Sequence, residues 1–435
     1  MSGVSVVGPR PRDNIRSGSA AAVALGVAIA FVDGYDLFLF GAVGPSLLAY
    51  APWGATAATL GLIGSLTTLG MPLGAIAGGR AADRFGRRIP LVVCLSWVSI
   101  WMLASAVAPS LELFAATRFA TGLGLGALVP MLTAFVADSV PARRRSVSVG
   151  VALAGIAVGG LAAAFLARAV LPEMHFQHLF FLGVVPLALV PIVLRMIPSG
   201  RPQSGPAKDA ALSGGDEAAG VRGPGFRSLF SPGFKLATVL FIAAGVVGLA
   251  LVYGASTWLP TLMVNAGYDI SSALEFTIAF NAGAIVGTLI MTLIADRGYL
   301  KSTTIICFLL AAVAFLVLSS PQSRGVVLAA SAVAGLGALG TQNMLNAFVV
   351  YFYPPNLRGT ALGLTLGIGR IGAIAGPSYL AFAATTFDSP RAGFYAFVAL
   401  AIIGAAVLTF IPRTKKPQIP VASIPSLATS EAPTK

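Results

Sequence analysis

Apolar residues in this chain do not alternate with polar ones; they come in long runs. Twelve of these are predicted as helices, at about 19–49, 56–80, 89–107, 111–138, 146–170, 178–197, 234–264, 272–295, 302–319, 325–352, 359–386 and 391–411. The hydrocarbon core of a bilayer is about 30 Å thick and takes roughly 20 mostly apolar residues to cross as a helix. Each run comes close to that length. The first is too long for the apolar core of a signal peptide and is read as the first span. Polar residues collect in short breaks between runs and in one long break, 198–233, rich in Gly, Pro, Ser and charge. The expected fold is an all-α membrane protein with twelve transmembrane helices in two six-helix bundles. Residues 1–197 form the N-terminal bundle, 198–233 a linker, 234–412 the C-terminal bundle and 413–435 a tail.

Composition sharpens this picture. The chain is 57% hydrophobic and 10% charged, whereas soluble domains carry about 25% charged residues. Most of its surface therefore faces lipid. The formal net charge of +13 does not point to nucleic acid, because Lys and Arg sit between apolar runs and not in one basic domain. Their distribution sets topology instead, since Lys and Arg accumulate on the cytoplasmic side. With both termini inside, 23 of the 28 are cytoplasmic; Arg168, Arg324 and Arg391 fall outside, and Arg118 and Arg370 fall within helices. Cys94 and Cys307 lie in apolar runs and imply no disulfide framework. His175 and His178 share an outer loop without a third ligand, so no metal is expected. No cofactor is called for either.

A repeat runs through the chain at an offset of 213 residues. Asp83-Arg84 matches Asp296-Arg297, Gly122-Leu123-Gly124 matches Gly335-Leu336-Gly337, and Pro141, Arg145, Gly150 and Gly159 match Pro354, Arg358, Gly363 and Gly372. A constant offset across so many landmarks implies two parallel halves.

The segment joining the second and third helices reads Gly79-Arg80-Ala81-Ala82-Asp83-Arg84-Phe85-Gly86-Arg87-Arg88. It resembles the signature of major facilitator transporters. Three further stretches narrow the resemblance: Asp33-Gly34-Tyr35-Asp36 in the first helix, Tyr253 to Pro260 in the seventh, and Gln342 to Pro377 across the tenth and eleventh, with Gly369-Arg370-Ile371-Gly372 at its heart. Together they resemble the aromatic acid:proton symporter family across essentially the whole chain. The chain departs from it in having Asp138 where the family usually has Glu, and in a degraded Asp-Arg signature between the eighth and ninth helices. The resemblance implies a proton-coupled transporter of the bacterial inner membrane, acting as a monomer on an aromatic carboxylate and protons. It also implies that Asp83 lies close to the ends of the fourth, fifth and eleventh helices. Gly79, Asp83, Arg84, Arg87, Arg88, Asp138 and Arg144 would then form a cytoplasmic latch that pairs in one state and parts in the other.

Ionisable groups deep in a bilayer cost about 2.5–3.5 kcal/mol each on insertion scales and are functional by default. Here they are Asp33, Asp36, Arg118 and Arg370. Asp33 and Asp36 share a helix face at i and i+3. Two carboxylates so close repel when both are ionised, so the pair is suited to hold a coupling proton. Arg370 lies 12 residues into its helix, about 18 Å deep at the 1.5 Å rise. Its guanidinium fork suits a carboxylate ligand. Arg118 is read two ways: as a proton-coupling residue, which the resemblance implies, or as the structural partner of a first-helix Asp. Asn281, Gln342, Asn343 and Asn346 either tie helices together or contact substrate. Tyr253 and Trp258 either stack on an aromatic substrate or belong to the interfacial aromatic belt.

Three functional readings follow: uptake of an aromatic or other organic acid with protons, drug efflux by proton antiport, and a membrane sensor or enzyme on the same scaffold. The fifth helix reads Val158-Gly159-Gly160 without the proline of the antiporter motif, and no nucleophile–His–acid set supports an enzyme. Two Gly-x-Gly-x-x-Gly matches, at 335–340 and 367–372, lie inside apolar helices with no preceding strand and carry no nucleotide reading. The charge asymmetry yields a direct test. A reporter active only in the cytoplasm, fused at Gly214, is expected to be active; activity of a periplasmic reporter there would reverse the topology.

Overall fold

The computed structural model describes residues 13–141, 144–171, 173–197, 226–354, 357–387, 389 and 391–412. The linker at 198–225, including Gly214, and the tail at 413–435 lie outside the described residues. Twelve helices are long and apolar enough to span a membrane. In the N-terminal half these are α1 (Asp13–Ala49), α2 (Ala57–Phe85), α3 (Arg88–Ala106), α4 (Leu111–Ser139), α5 (Arg145–Val170) and a sixth span, Phe176–Met196, whose α-helical part is α6 (Val185–Met196). In the C-terminal half they are α7 (Lys235–Asn265), α8 (Ile270–Ile294), α9 (Leu300–Leu318), α10 (Arg324–Phe352), α11 (Arg358–Thr386) and α12 (Ala392–Thr409). With an even number of spans, α1 begins and α12 ends at the same face, here called the terminal end.

Side-chain caps start several helices. Thr56 and Thr59 make a reciprocal capping box before α2, Ser110 accepts from the Leu113 N–H before α4, and Asp269 accepts from the Ser272 N–H before α8. Three boundaries differ from the sequence reading, the first being the start of α1 at Asp13 rather than 19. α2 continues through Arg80–Phe85, so Asp83 and Arg84 stand on its last turn rather than in a loop. Nothing breaks the helix before Gly86, whose φ of 76° only glycine adopts easily. The sixth span opens with a 3₁₀ stretch, Phe176–Val184, before turning α-helical, with Pro186 in the first α turn.

The 213-residue repeat is structural. α2 and α8, α4 and α10, and α5 and α11 start at that offset. The matched glycines mark where backbones touch. A Cβ on Gly122 would stand 2.0 Å from the Thr67 carbonyl oxygen, and one on Gly335 would stand 1.8 Å from that of Phe280, the residue equivalent to Thr67. Gly159 and Gly372 do the same for α5 against α1 and α11 against α7, at 2.2 Å from the Phe31 oxygen and 1.8 Å from the Val246 oxygen. With little hydrophobic drive between helices in lipid, such close packing is what holds each half together.

The halves meet along three seams: α1 with α7, α2 with α11 and α5 with α8. Among the described residues, the polar contacts across these seams lie at midplane or at the end away from the termini. Ser65 and Ser378 share a 2.7 Å hydroxyl bond. Arg168 donates to Ser271 at 3.1 Å and stands 3.9 Å from Glu275, which Arg324 also holds at 2.5 Å. The far end is thus closed and the cleft between halves opens toward the terminal end. The Arg168–Glu275–Arg324 triad clamps the α5–α8 seam, so Glu275→Gln is expected to loosen closure. Shared by two arginines, Glu275 is worth a factor of several in the open–closed ratio on the scale of partly exposed ion pairs. In a protein lacking Cys94 and Cys307 and carrying Ser65→Cys, thiol labelling should quicken several-fold with Glu275→Gln; an unchanged rate would show that the triad does not hold this end shut.

Candidate functional site

Asp33 and Asp36, three residues apart on α1, meet different surroundings. Between them Gly34 lets α1 touch α5: a Cβ there would lie 1.9 Å from the Ile156 carbonyl oxygen. Asp36 is fully buried and receives both arms of Arg118 from α4, Nη1 to Oδ1 at 2.7 Å and Nη2 to Oδ2 at 2.6 Å. The rings of Phe40 and Phe180 lie 5.6 Å from the guanidinium carbon. Of the two sequence readings of Arg118, the ion pair with a first-helix Asp is therefore present. Asp33 is 5% exposed and makes no hydrogen bond or ion pair among the described residues; the charges that act on it are those of Arg370 and Asp36. The expected mutual repulsion of the two carboxylates is blunted because Arg118 neutralises Asp36.

Arg370 on α11 is half-buried in the cleft wall. Its Nη1 donates to the Met71 thioether at 3.3 Å, and among the described residues no carboxylate pairs with it. A thioether is a weak acceptor. The Tyr253 hydroxyl, from α7, donates to the same sulfur at 3.6 Å. Both Arg370 and Asp33 act electrostatically on Tyr253. Four elements from both halves thus bring a carboxyl, a guanidinium, a phenol and a thioether together half-way across the membrane span. Met71 was not foreseen. A methionine before Pro72 inside an apolar run carries no signal of chemistry.

Other sequence candidates fall elsewhere. Trp258 is 1% exposed, and its Nε1 donates to the Pro377 carbonyl at 2.9 Å. It is neither in an interfacial belt nor open to the cleft, because packing α7 on α11 consumes its ring and its N–H. Asn281 is fully buried in the α5–α8 seam, where a Cβ on Gly160 would meet its Oδ1 at 2.5 Å. Its Nδ2 donates to the Thr277 carbonyl at 3.0 Å and its Oδ1 has no donor among the described residues. Gln342 donates to Asn346 at 3.1 Å, and its own Oε1, near Gly248, is buried without a donor among the described residues. Asn343 is exposed.

At the terminal end, Arg87 binds Asp138 and the Ala134 carbonyl, the latter at 2.9 Å, all within the N-terminal half. Asp83, Arg84 and Arg144 are exposed, and Arg84 lies 5.2 Å from the Phe85 ring centroid. Arg88 is half-buried with its Nε unpartnered. Gly79, Gly150 and Gly363 face open space. No ion pair crosses between the halves here among the described residues.

Comparison with known proteins places this architecture. The Major Facilitator Superfamily profile matches residues 26–377 and 278–433. The gentisate transporter of Corynebacterium glutamicum is 36% identical over 91% of this chain and 88% of its own. The benzoate transport protein of Acinetobacter baylyi is 30% identical over 87% and 86%. The 3-(3-hydroxy-phenyl)propionate transporter of Escherichia coli is 31% identical over 90% and 93%. Among solved structures, a D-xylose-proton symporter superposes with a TM-score of 0.75 at 17% identity, over 91% of this chain and 98% of its own. The inward open xylose transporter of E. coli gives 0.71 at 16%, over 93% and 98%; likenesses this distant speak to the fold alone. From the profile match and from relatives aligned along most of its length, this chain belongs to the Major Facilitator Superfamily, a family of transporters and not of enzymes, and within it to the aromatic acid:proton symporter family.

Proposed function

We propose that this protein imports an aromatic carboxylate, of the benzoate, hydroxybenzoate or gentisate kind, together with protons. The observation that carries the reading is Arg370: a half-buried guanidinium whose one hydrogen bond among the described residues goes to a thioether. A carboxylate would take both arms of its fork, replacing a weak acceptor with charge-assisted bonds. The names of the relatives support an aromatic acid as the carrier of that carboxylate. On this reading the terminal end is cytoplasmic, as the Lys and Arg distribution indicates, and the described conformation is inward-open. The protein would sit in the bacterial inner membrane as a monomer, two six-helix units rocking about the cleft.

Charge balance supplies the coupling. Asp36 and Arg118 neutralise each other. That leaves Asp33 and Arg370. When a monoanion binds Arg370, a proton on Asp33 restores neutrality, so proton and acid load together at lower cost than either alone. Asp36 and Arg118 then hold α1 against α4 rather than carry the proton. In the outward-open state, the terminal ends of α2, α4, α5 and α11 would close, with Gly79, Asp83, Arg84, Arg87, Arg88, Asp138 and Arg144 forming the latch across surfaces that here face open space.

Two outcomes test this reading. Arg370→Lys keeps the charge but loses the fork; with hydrogen bonds to charged groups worth about 1.5–3 kcal/mol, the KM for an aromatic acid should rise by about ten- to a hundredfold. Wild-type affinity in that variant would remove Arg370 from the site. Asp33→Asn should abolish accumulation against a gradient in vesicles yet keep substrate counterflow, which moves no net proton. Asp36→Asn should instead strand Arg118 as a buried unpaired charge, costing about 3–5 kcal/mol and lowering the yield of folded protein. Accumulation that survives in Asp33→Asn and stays sensitive to a protonophore would place coupling elsewhere.

A further inference from the structure

The thioether of Met71 occupies the point on which Arg370 and Tyr253 converge, 3.3 Å from Nη1 of the one and 3.6 Å from the hydroxyl of the other. Met71 is 2% exposed, and its backbone is pinned. Gly126 brings α4 so close that a Cβ there would lie 1.9 Å from the Met71 carbonyl oxygen. The side chain beyond that fixed backbone has three rotatable bonds and a polarisable sulfur, so it can shift without leaving.

We propose that Met71 is a specificity-determining residue, its thioether reading the aromatic ring of the acid whose carboxylate Arg370 binds. The proposal rests on the aromatic-carboxylate reading of this same site. Its geometry follows from the distances. A carboxylate oxygen on the guanidinium stands about 2.8 Å from a guanidinium nitrogen, and in a benzoate the ring begins at the carbon bonded to the carboxyl. With the sulfur already beside Nη1, a carboxylate that takes the fork on that side displaces the N–H···S contact, and the first ring atoms then lie against the displaced thioether. Sulfur beside an aromatic ring is favourable in a way that sulfur beside a saturated ring is not. A thioether also suits the site before the acid arrives. It steadies the guanidinium while accepting too weakly to compete with an incoming anion, which an amide or carboxylate at this position would do. The Tyr253 hydroxyl, released from the same sulfur, is placed to meet a ring substituent.

The test compares benzoate, 4-hydroxybenzoate and gentisate with cyclohexanecarboxylate, which keeps the carboxylate and ring size but has no π-system. Binding is measured on the purified full-length protein, wild type and Met71→Leu. Leucine keeps volume and apolarity and removes the sulfur. The aromatic acid that binds wild type is expected to weaken about two- to tenfold in Met71→Leu, while cyclohexanecarboxylate is unchanged. Equal weakening of both acids would mean a merely structural role, and no weakening of either would mean no contact; both overturn the proposal. If wild type binds no carboxylate at all, the functional reading itself fails, and this inference with it. A second measurement does not depend on the variant folding. In wild-type protein carrying methyl-labelled methionine, an aromatic acid should move one methyl resonance by ring current, upfield over the ring face or downfield at its edge, and cyclohexanecarboxylate should not. Absence of such a shift at saturating aromatic acid overturns the proposal.

Discussion

A guanidinium held between the two halves of a membrane protein has to be compensated, and at Arg370 the one hydrogen bond among the described residues goes to a thioether. The other buried guanidinium is better met: Arg118 has the two oxygens of Asp36 and two aromatic rings, with only its Nε unpartnered among the described residues. Buried ion pairs of this kind add little net stability, but losing one partner is severe, so Asp36 and Arg118 fix one arrangement of α1 and α4. The other pair is left open. Asp33 and Arg370 act on each other at a distance without a salt bridge, one from each half. A mobile anion and a mobile proton are what complete them.

That incompleteness can persist because the frame around it is tight. Within each half, glycines on α4 and α5, and their repeats on α10 and α11, bring backbones into direct contact. Between halves the contacts are fewer and more polar: a serine pair, an arginine–glutamate–arginine triad and a buried Asn281 with one atom unsatisfied. Rigid units joined by modest seams are the structural requirement for rocking between two states rather than deforming continuously. The seams described here close one end. Gly150 and Gly363, matched in the repeat, each present a face where an added Cβ would meet open space; they lie at the other end, where the complementary closure would form.

Much of this was legible in the sequence, and the parts that were not share a physical reason. Helix number, the two halves and their offset follow from runs of apolar residues and repeated glycines, which are local signals. The four deep charges were legible because charge inside an apolar run is rare. Which charge meets which was not. Asp36 and Arg118 are 82 residues apart, and nothing local distinguishes Asp36 from Asp33; only the side of α1 that faces α4 decides it. Trp258 misled because its position suggested an interface, whereas the Pro377 carbonyl takes its N–H. Asn281 proved to be a seam residue in this conformation for the same kind of reason. Met71, Ser65 and Ser378 carry no sequence signal at all, since a single thioether or hydroxyl gains meaning only from what packs beside it. Glu275 left a faint one, an acidic residue early in an apolar run.

The central claim is that an anion completing Arg370 is matched by a proton completing Asp33. Proton uptake on binding measures this most directly: purified protein in weakly buffered solution, near neutral pH, is titrated with an aromatic acid supplied as its fully ionised salt, and the pH change is read against the amount bound. The account predicts uptake approaching one proton per acid bound wherever Asp33 starts ionised, and none in Asp33→Asn even where the acid still binds. Saturable binding by the wild type with no proton uptake at any pH would contradict it.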